Sequence, residues 1–110
     1  MSTTTTIAVD NPVATLINVF TVEPDRQRRL VDLLVRATDE VMRHLPGFVA
    51  ANIHASSDGT RVVNYAQWQS ADAFQAMLGD PTAQAHMREA AALADRFDPH
   101  LYAVESVHHR

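Results

Sequence analysis

The sequence predicts an α+β domain, an antiparallel sheet with helices on one face, and three observations carry that prediction. Runs rich in β-branched and aromatic residues alternate with runs whose apolar residues recur at helical spacing, in the order strand, helix, strand, strand, helix, strand. The two middle strands meet at Asp58-Gly59, a pair suited to a tight hairpin because glycine accepts the positive φ such turns need. The other junctions carry breakers: Pro24, Pro46-Gly47, Gly79-Asp80-Pro81 and Asp98-Pro99.

Val13 to Val22 reads as a buried strand interrupted by Asn18. Glu23-Pro24-Asp25 opens the first helix, proline where a missing N–H costs little and acids at the positive end of the dipole. Leu30, Leu34, Ala37, Val41 and Leu45 give it one apolar face, and Pro46-Gly47 ends it. Phe48 to Ser56 and Thr60 to Gln69 are the hairpin strands. Ser70 caps a short helix that breaks at Gly79-Asp80-Pro81, and a second helical run is expected from Pro81 to Phe97, ended by Asp98-Pro99. Leu101 to Val104 supplies the last strand. This order is the split βαβ pattern of ferredoxin-like folds. The first strand is apolar on both sides, Thr15, Ile17 and Val19 on one and Leu16 and Phe20 on the other. A sheet bare on one face would expose too much apolar surface for a monomer, so a homodimer packed sheet to sheet is expected.

The chain has 110 residues, no cysteine and a formal charge of −4. That length suits one domain, expected over 13–110 after a polar, threonine-rich leader over 1–12 expected to be disordered. Without cysteine there is no disulfide, thiolate nucleophile or iron–sulfur site, and no apolar run is long enough to span a bilayer, so a cytoplasmic location is expected. An acidic balance with scattered arginines argues against a nucleic-acid partner, which requires clustered cations.

The most informative stretch runs from His54 to Trp68. Alternate strand residues share a face, so Asn64 and Trp68 look the same way across Ala66. An amide beside an indole over a small floor can hold and polarise a flat aromatic molecule; the same spacing also suits a core tryptophan with a satisfied asparagine. The side His54 takes depends on the turn. A three-residue loop, Ser57-Asp58-Gly59, sets His54 opposite Val62 and gathers Asn52, His54, Asn64 and Trp68 on one face. A two-residue turn at Asp58-Gly59 sends His54 to the other face. The first is preferred because the polar groups then share one cavity, where His54 could take a phenolic proton.

The segments Leu45-Pro46-Gly47-Phe48, His54-Ala55-Ser56-Ser57-Asp58-Gly59-Thr60, Val62-Val63-Asn64-Tyr65-Ala66-Gln67-Trp68 and, more weakly, Arg88-Glu89-Ala90 resemble the antibiotic biosynthesis monooxygenase family of dimeric α+β barrels. The resemblance is greatest to its cofactor-free members that form quinones on aromatic polyketides. It implies oxidation of a polycyclic phenol of anthrone or naphthacenone type with O2 as co-substrate and no flavin, haem or metal. It places Asn64, Trp68 and Arg88 in the catalytic set; His54 joins them from the hairpin reading, and Asn18, Asn52, Phe74 and Met77 are expected around the substrate. Phe74 stands where the family has a tyrosine, which removes a phenolic relay. On a straight helix with the stripe Ala83, Met87, Ala90 and Ala94, Arg88 points well away from the apolar centre, as a solvated arginine would.

Two other readings remain open. Haem-degrading relatives use an asparagine on the first strand, a tryptophan on the short helix and a histidine ligand on the next; Asn18 and His86 fall near two of those places, but Met77 takes the tryptophan's. A non-catalytic dimer that binds a phenolic or polyketide metabolite would share the same cavity. His108-His109 lacks a third metal ligand.

Overall fold

The computed structural model describes residues 3–110. Strands β1 (Ala14–Thr21), β2 (Phe48–Ala55), β3 (Arg61–Trp68) and β4 (Arg96–Tyr102) form one antiparallel sheet in the order β2-β3-β1-β4. Helices α1 (Gln27–Glu40), α2 (Ala71–Leu78) and α3 (Pro81–Leu93) join them. This is the ferredoxin-like α+β arrangement that the element order predicts. No helix among the described residues is long and apolar enough to cross a membrane.

The first helical run is not continuous. A 3-10 turn over Pro24–Arg26 leads into α1, and a second, Met42–His44, follows it after Val41 departs to φ −126°, ψ −65°. Near that break the Thr38 hydroxyl donates to the Leu34 carbonyl at 2.8 Å, a local bond that competes with the helical ladder. Gly47 then turns the chain at φ +85°. Its carbonyl accepts the Gln69 N–H at 2.7 Å, tying the start of β2 to the exit of β3. Ser70 and Asp80 cap α2 and α3, each side-chain oxygen accepting the N–H three residues on, at 3.1 and 2.9 Å.

Two expectations are corrected here. Helix α3 stops at Leu93, not Phe97, and Asp98-Pro99 lies inside β4 rather than ending a helix. Proline is tolerated there because β4 is an edge strand, where a missing N–H leaves no inner ladder bond unmade. The hairpin also closes differently from the three-residue loop. Ser56 N–H donates to the Arg61 carbonyl, and His54 pairs with Val63, not Val62. That is the register of a two-residue Asp58-Gly59 turn, opened at its tip, where Asp58 Oδ1 accepts from the Ser56 and Thr60 hydroxyls (both 2.7 Å) and from Thr60 N–H (3.0 Å). Three local donors on one carboxylate outweigh the bulged alternative.

Directly paired residues share a face. Leu16, Asn18 and Phe20 of β1 face the helices with Ala66, Asn64 and Val62 of β3, and with Leu101, Pro99 and Phe97 of β4. The opposite face carries Thr15, Ile17 and Val19 beside Gln67, Tyr65 and Val63. No helix covers it. The leader, expected to be disordered, meets this open face at two points: Thr5 Oγ1 donates to Asn52 Oδ1 at 2.6 Å, and Gln67 Nε2 donates to the Thr6 carbonyl at 2.9 Å.

The core between sheet and helices is split. One cluster gathers Phe20, Val22, Leu30, Val31, Leu33, Val62 and Ala90; the other gathers Leu16, Ala66, Trp68, Phe74, Met77 and Ala83. The space between them is not filled by side chains, and it is where the site lies.

Candidate active site

A cavity of about 590 Å3 opens between sheet and helices, within the range of about 300–1,000 Å3 usual for small-molecule sites. Its walls draw on both apolar clusters, and β4 forms its rim, where Phe97 and Leu101 line the cavity yet stay 50 % and 39 % exposed. The rim exists because β4 is flanked on one side only and the helices stop short of it, leaving all seven of its residues exposed.

Of the residues predicted for the site, five are brought together. Asn64, Trp68, Asn18, Phe74 and Met77 all line the cavity. Asn64 and Trp68 project from the helix-facing side of β3 on either side of Ala66, whose methyl leaves the floor open. Trp68 is 2 % exposed, held by the edge-on ring of Phe48 at 5.5 Å between centroids and by Phe74 at 6.5 Å. Both contacts are in the favoured tilted geometry, so the indole is clamped rather than free to swing. Phe74 thus acts as a ring wall behind Trp68.

Three are not. His54 is exposed on the open sheet face, its Nδ1 within 3.1 Å of the Asn52 carbonyl, because the hairpin register pairs it with Val63. Asn52 lies on that same open face, engaged with Thr5 and, through Nδ2, with the Tyr65 carbonyl at 3.0 Å. Neither shares a cavity with Asn64, which corrects the expected grouping. Arg88 is exposed on α3 and does not line the cavity, in keeping with its place off the apolar stripe.

Sequence reasoning missed the contribution of β4. Phe97, Pro99 and Leu101 alternate along it and all line the rim; that period of two was legible from Arg96 onward but was masked by reading Pro99 as a stop. It also left His86 to the haem alternative, whereas His86 lines the cavity from α3. Asn18 and Met77 do so too. Among the described residues no group of three histidines or carboxylates could hold a metal ion.

Polar groups in this cavity are few and unevenly satisfied. Among the described residues, three buried side-chain atoms lack a hydrogen-bond partner: Thr15 Oγ1, Asn64 Oδ1 and His86 Nδ1. The last two belong to cavity residues. Leaving such a group unpaired costs about 1–3 kcal/mol, which a fold accepts most readily where a ligand supplies the missing partner. An apolar cavity with unpaired polar atoms on Asn64 of the sheet and His86 of α3 can seat a flat, mostly apolar molecule that carries oxygen.

Comparison with known proteins agrees with this architecture. The family model described as antibiotic biosynthesis monooxygenase matches residues 14–89. A tetracenomycin-F1 monooxygenase from Streptomyces glaucescens is 52 % identical over 81 residues, 74 % of this chain and 72 % of the relative. Among solved structures, a monooxygenase from the gene ActVA-Orf6 of Streptomyces coelicolor, in complex with nanaomycin D, superposes with a TM-score of 0.77 at 32 % identity, over 91 % of this chain and 94 % of that one. SnoaB of Streptomyces nogalater, a cofactor-independent oxygenase, gives a TM-score of 0.73 at 25 % identity, over 87 % and 96 %. With the family model spanning most of the chain and a relative at 52 % identity, the chain belongs to the antibiotic biosynthesis monooxygenase family.

Proposed function

We propose that this protein is a cofactor-independent oxygenase that converts a polycyclic aromatic polyketide phenol, of anthrone or naphthacenone type, to a quinone with O2. The observation that carries the reading is the pairing of Asn64 and Trp68 on the floor of an apolar cavity, with Asn64 Oδ1 buried and unpaired. The relatives support it: a tetracenomycin-F1 monooxygenase at 52 % identity, and a cofactor-independent oxygenase with the same fold.

The chemistry asks little of the protein beyond binding, charge stabilisation and exclusion of water. A bound phenol loses its proton and, as the phenolate, passes one electron to O2. The radical and superoxide combine at the ring carbon para to the oxygen, and the resulting peroxide takes up the proton. Loss of the second hydrogen from that carbon as a proton, with cleavage of the O–O bond, forms the quinone carbonyl and releases one water. One oxygen atom enters the product and two hydrogens leave with the other. Asn64 can turn its amide to donate to the phenolate oxygen, and Trp68 presents its ring to the substrate plane, so the contribution is positional and electrostatic.

The working unit in this reading is a cytoplasmic homodimer joined through the open sheet faces, where Ile17, Val19, Val63 and Tyr65 lie uncovered by any helix. The non-catalytic binder is the alternative to test. Under air, purified protein mixed with an anthrone-type phenol should consume one O2 for each quinone formed, in the presence of chelator and without added haem. Ligand uptake with no O2 consumption would make it a binding protein, and activity that depends on added haem, with a Soret band lost in His86→Ala, would move it to the haem-degrading branch.

A further inference from the structure

We infer that His86 is the proton acceptor of this site, taking the proton of the substrate phenol from the helical wall while Asn64 holds the resulting oxyanion from the sheet. The inference rests on the proposed oxidation of a phenol. That reaction starts with a deprotonation, and the residue first expected to perform it, His54, lies on the far side of the sheet. Phe74 offers no hydroxyl in its place.

Elimination narrows the choice. Among the described residues that line the cavity, His86 and His100 carry the side chains able to accept a proton, and no carboxylate, lysine, arginine or tyrosine lines it. His100 stands on the exposed edge strand with its Nε2 2.7 Å from Asp98 Oδ1, already engaged and open to solvent. His86 differs on each count. It projects from α3 beside Met87 and Ala90 of the cavity wall, and it is half-buried. Its Nδ1 has no solvent contact and no hydrogen-bond partner. His86 lines the cavity and no hydrogen bond among the described residues holds Nδ1, so a phenol hydroxyl is a partner that would satisfy it. A neutral imidazole nitrogen can accept the proton and the resulting imidazolium can give it up later.

In the step itself the phenol O–H bond breaks as an N–H bond forms on the His86 ring, leaving a phenolate and an imidazolium side by side. The imidazolium then returns that proton to the peroxide formed with O2, so the histidine is neutral again at the end of each turnover. Its cationic form, present while the phenolate is present, also attracts the adjacent negative charge in an apolar cavity where such attraction is strong.

The test separates this inference from the reaction on which it rests. Dithranol, a dihydroxyanthrone, is titrated with protein under nitrogen near neutral pH, and its absorption reports whether it binds as phenol or phenolate. Wild-type protein should hold it as the phenolate, and His86→Asn, which keeps a polar side chain of similar reach, should bind it as the neutral phenol. Admitting air should then give quinone with the wild type at least about a hundredfold faster than with the variant, the usual scale for a lost proton acceptor. The rate deficit should close as pH rises and the phenol ionises unaided, and added imidazole should restore part of it in His86→Ala. Neutral binding by the wild type, or phenolate binding by His86→Asn, overturns the assignment even if quinone forms. Phenolate binding that depends on His86 but consumes no O2 overturns the oxidation and leaves the assignment standing.

Discussion

Asn18 and Asn64 face each other directly across β1 and β3 on the helix-facing side of the sheet, and only one of them has its carbonyl oxygen satisfied. Asn18 Oδ1 accepts the Asp98 N–H at 3.2 Å and so helps hold β4, the rim of the cavity, to the sheet. Asn64 Oδ1 has no hydrogen-bond partner among the described residues. Two identical side chains in mirrored positions therefore have different tasks, one structural and one free for a ligand, because the neighbour of β1 on its outer side is β4 whereas that of β3 is β2.

Asn64→Ala should reduce kcat far more than it raises KM, with the fold unchanged. An amide N–H turned to donate to a developing oxyanion is worth up to about 3 kcal/mol, about a hundredfold in rate, and the neutral substrate uses it only weakly. Steady-state kinetics on an authentic substrate read this directly; a wild-type kcat would remove Asn64 from the site.

Trp68→Phe separates stacking from hydrogen bonding, since the ring surface is kept and the indole N–H is lost. Because Trp68 is clamped between Phe48 and Phe74, the phenyl ring should stay in place, and a loss of activity below about tenfold would assign the residue to stacking. Trp68→Ala removes the clamp as well and should lower stability by about 3–5 kcal/mol, the range for deleting a buried large aromatic. Urea unfolding of that variant distinguishes a broken site from a broken core.

Gly47→Ala should destabilise the protein by at least about 1–3 kcal/mol, as expected when a side chain is forced into a left-handed backbone. Gly47 has φ +85°, and a Cβ there would run into Ala73 of α2. A variant as stable as the wild type to urea would mean that the turn can relax without moving α2.

The carboxylate of Asp58 is held down by the Thr60 hydroxyl, then by the Ser56 hydroxyl and the Thr60 N–H, with Arg61 adding a favourable charge; its pKa falls from the ordinary 3.8 to about 2. A depressed folded-state pKa stabilises the fold above 3.8, and that contribution is lost as pH falls toward about 2. The advantage of wild type over Asp58→Asn in urea midpoint should thus be full at pH 5 and above and shrink across that acidic window. A gap that stays constant down to the acid limit would show that the loop hydrogen bonds do not discriminate between the charged and neutral forms.

Light scattering on a sizing column at micromolar concentration should report two chains per particle, because one whole sheet face is uncovered by helices. Val63→Arg, placed on that face beside Val19, should shift the particle toward a monomer. A wild type that runs as one chain would show that the open face needs no partner.

The order of elements and the cavity floor were legible in the sequence because they depend on local rules. Helical periodicity, the Ser70 cap and the breaker residues mark α1, α2 and the start of α3. Strand alternation alone puts Asn64 and Trp68 on one face, whatever the strand pairs with. Which face His54 and Asn52 take is not local: it follows from the hairpin register, and one residue of slip exchanges the two faces. The sequence reading preferred the three-residue loop, and the structure takes the other register, with three hydrogen bonds to Asp58 at the tip of its turn. Pro99 stopped a helix on paper and sits in a strand because only the assembled sheet makes β4 an edge. His86, for its part, belongs to the site because α3 lies over the gap between two core clusters, a gap that exists only once helices and sheet have packed.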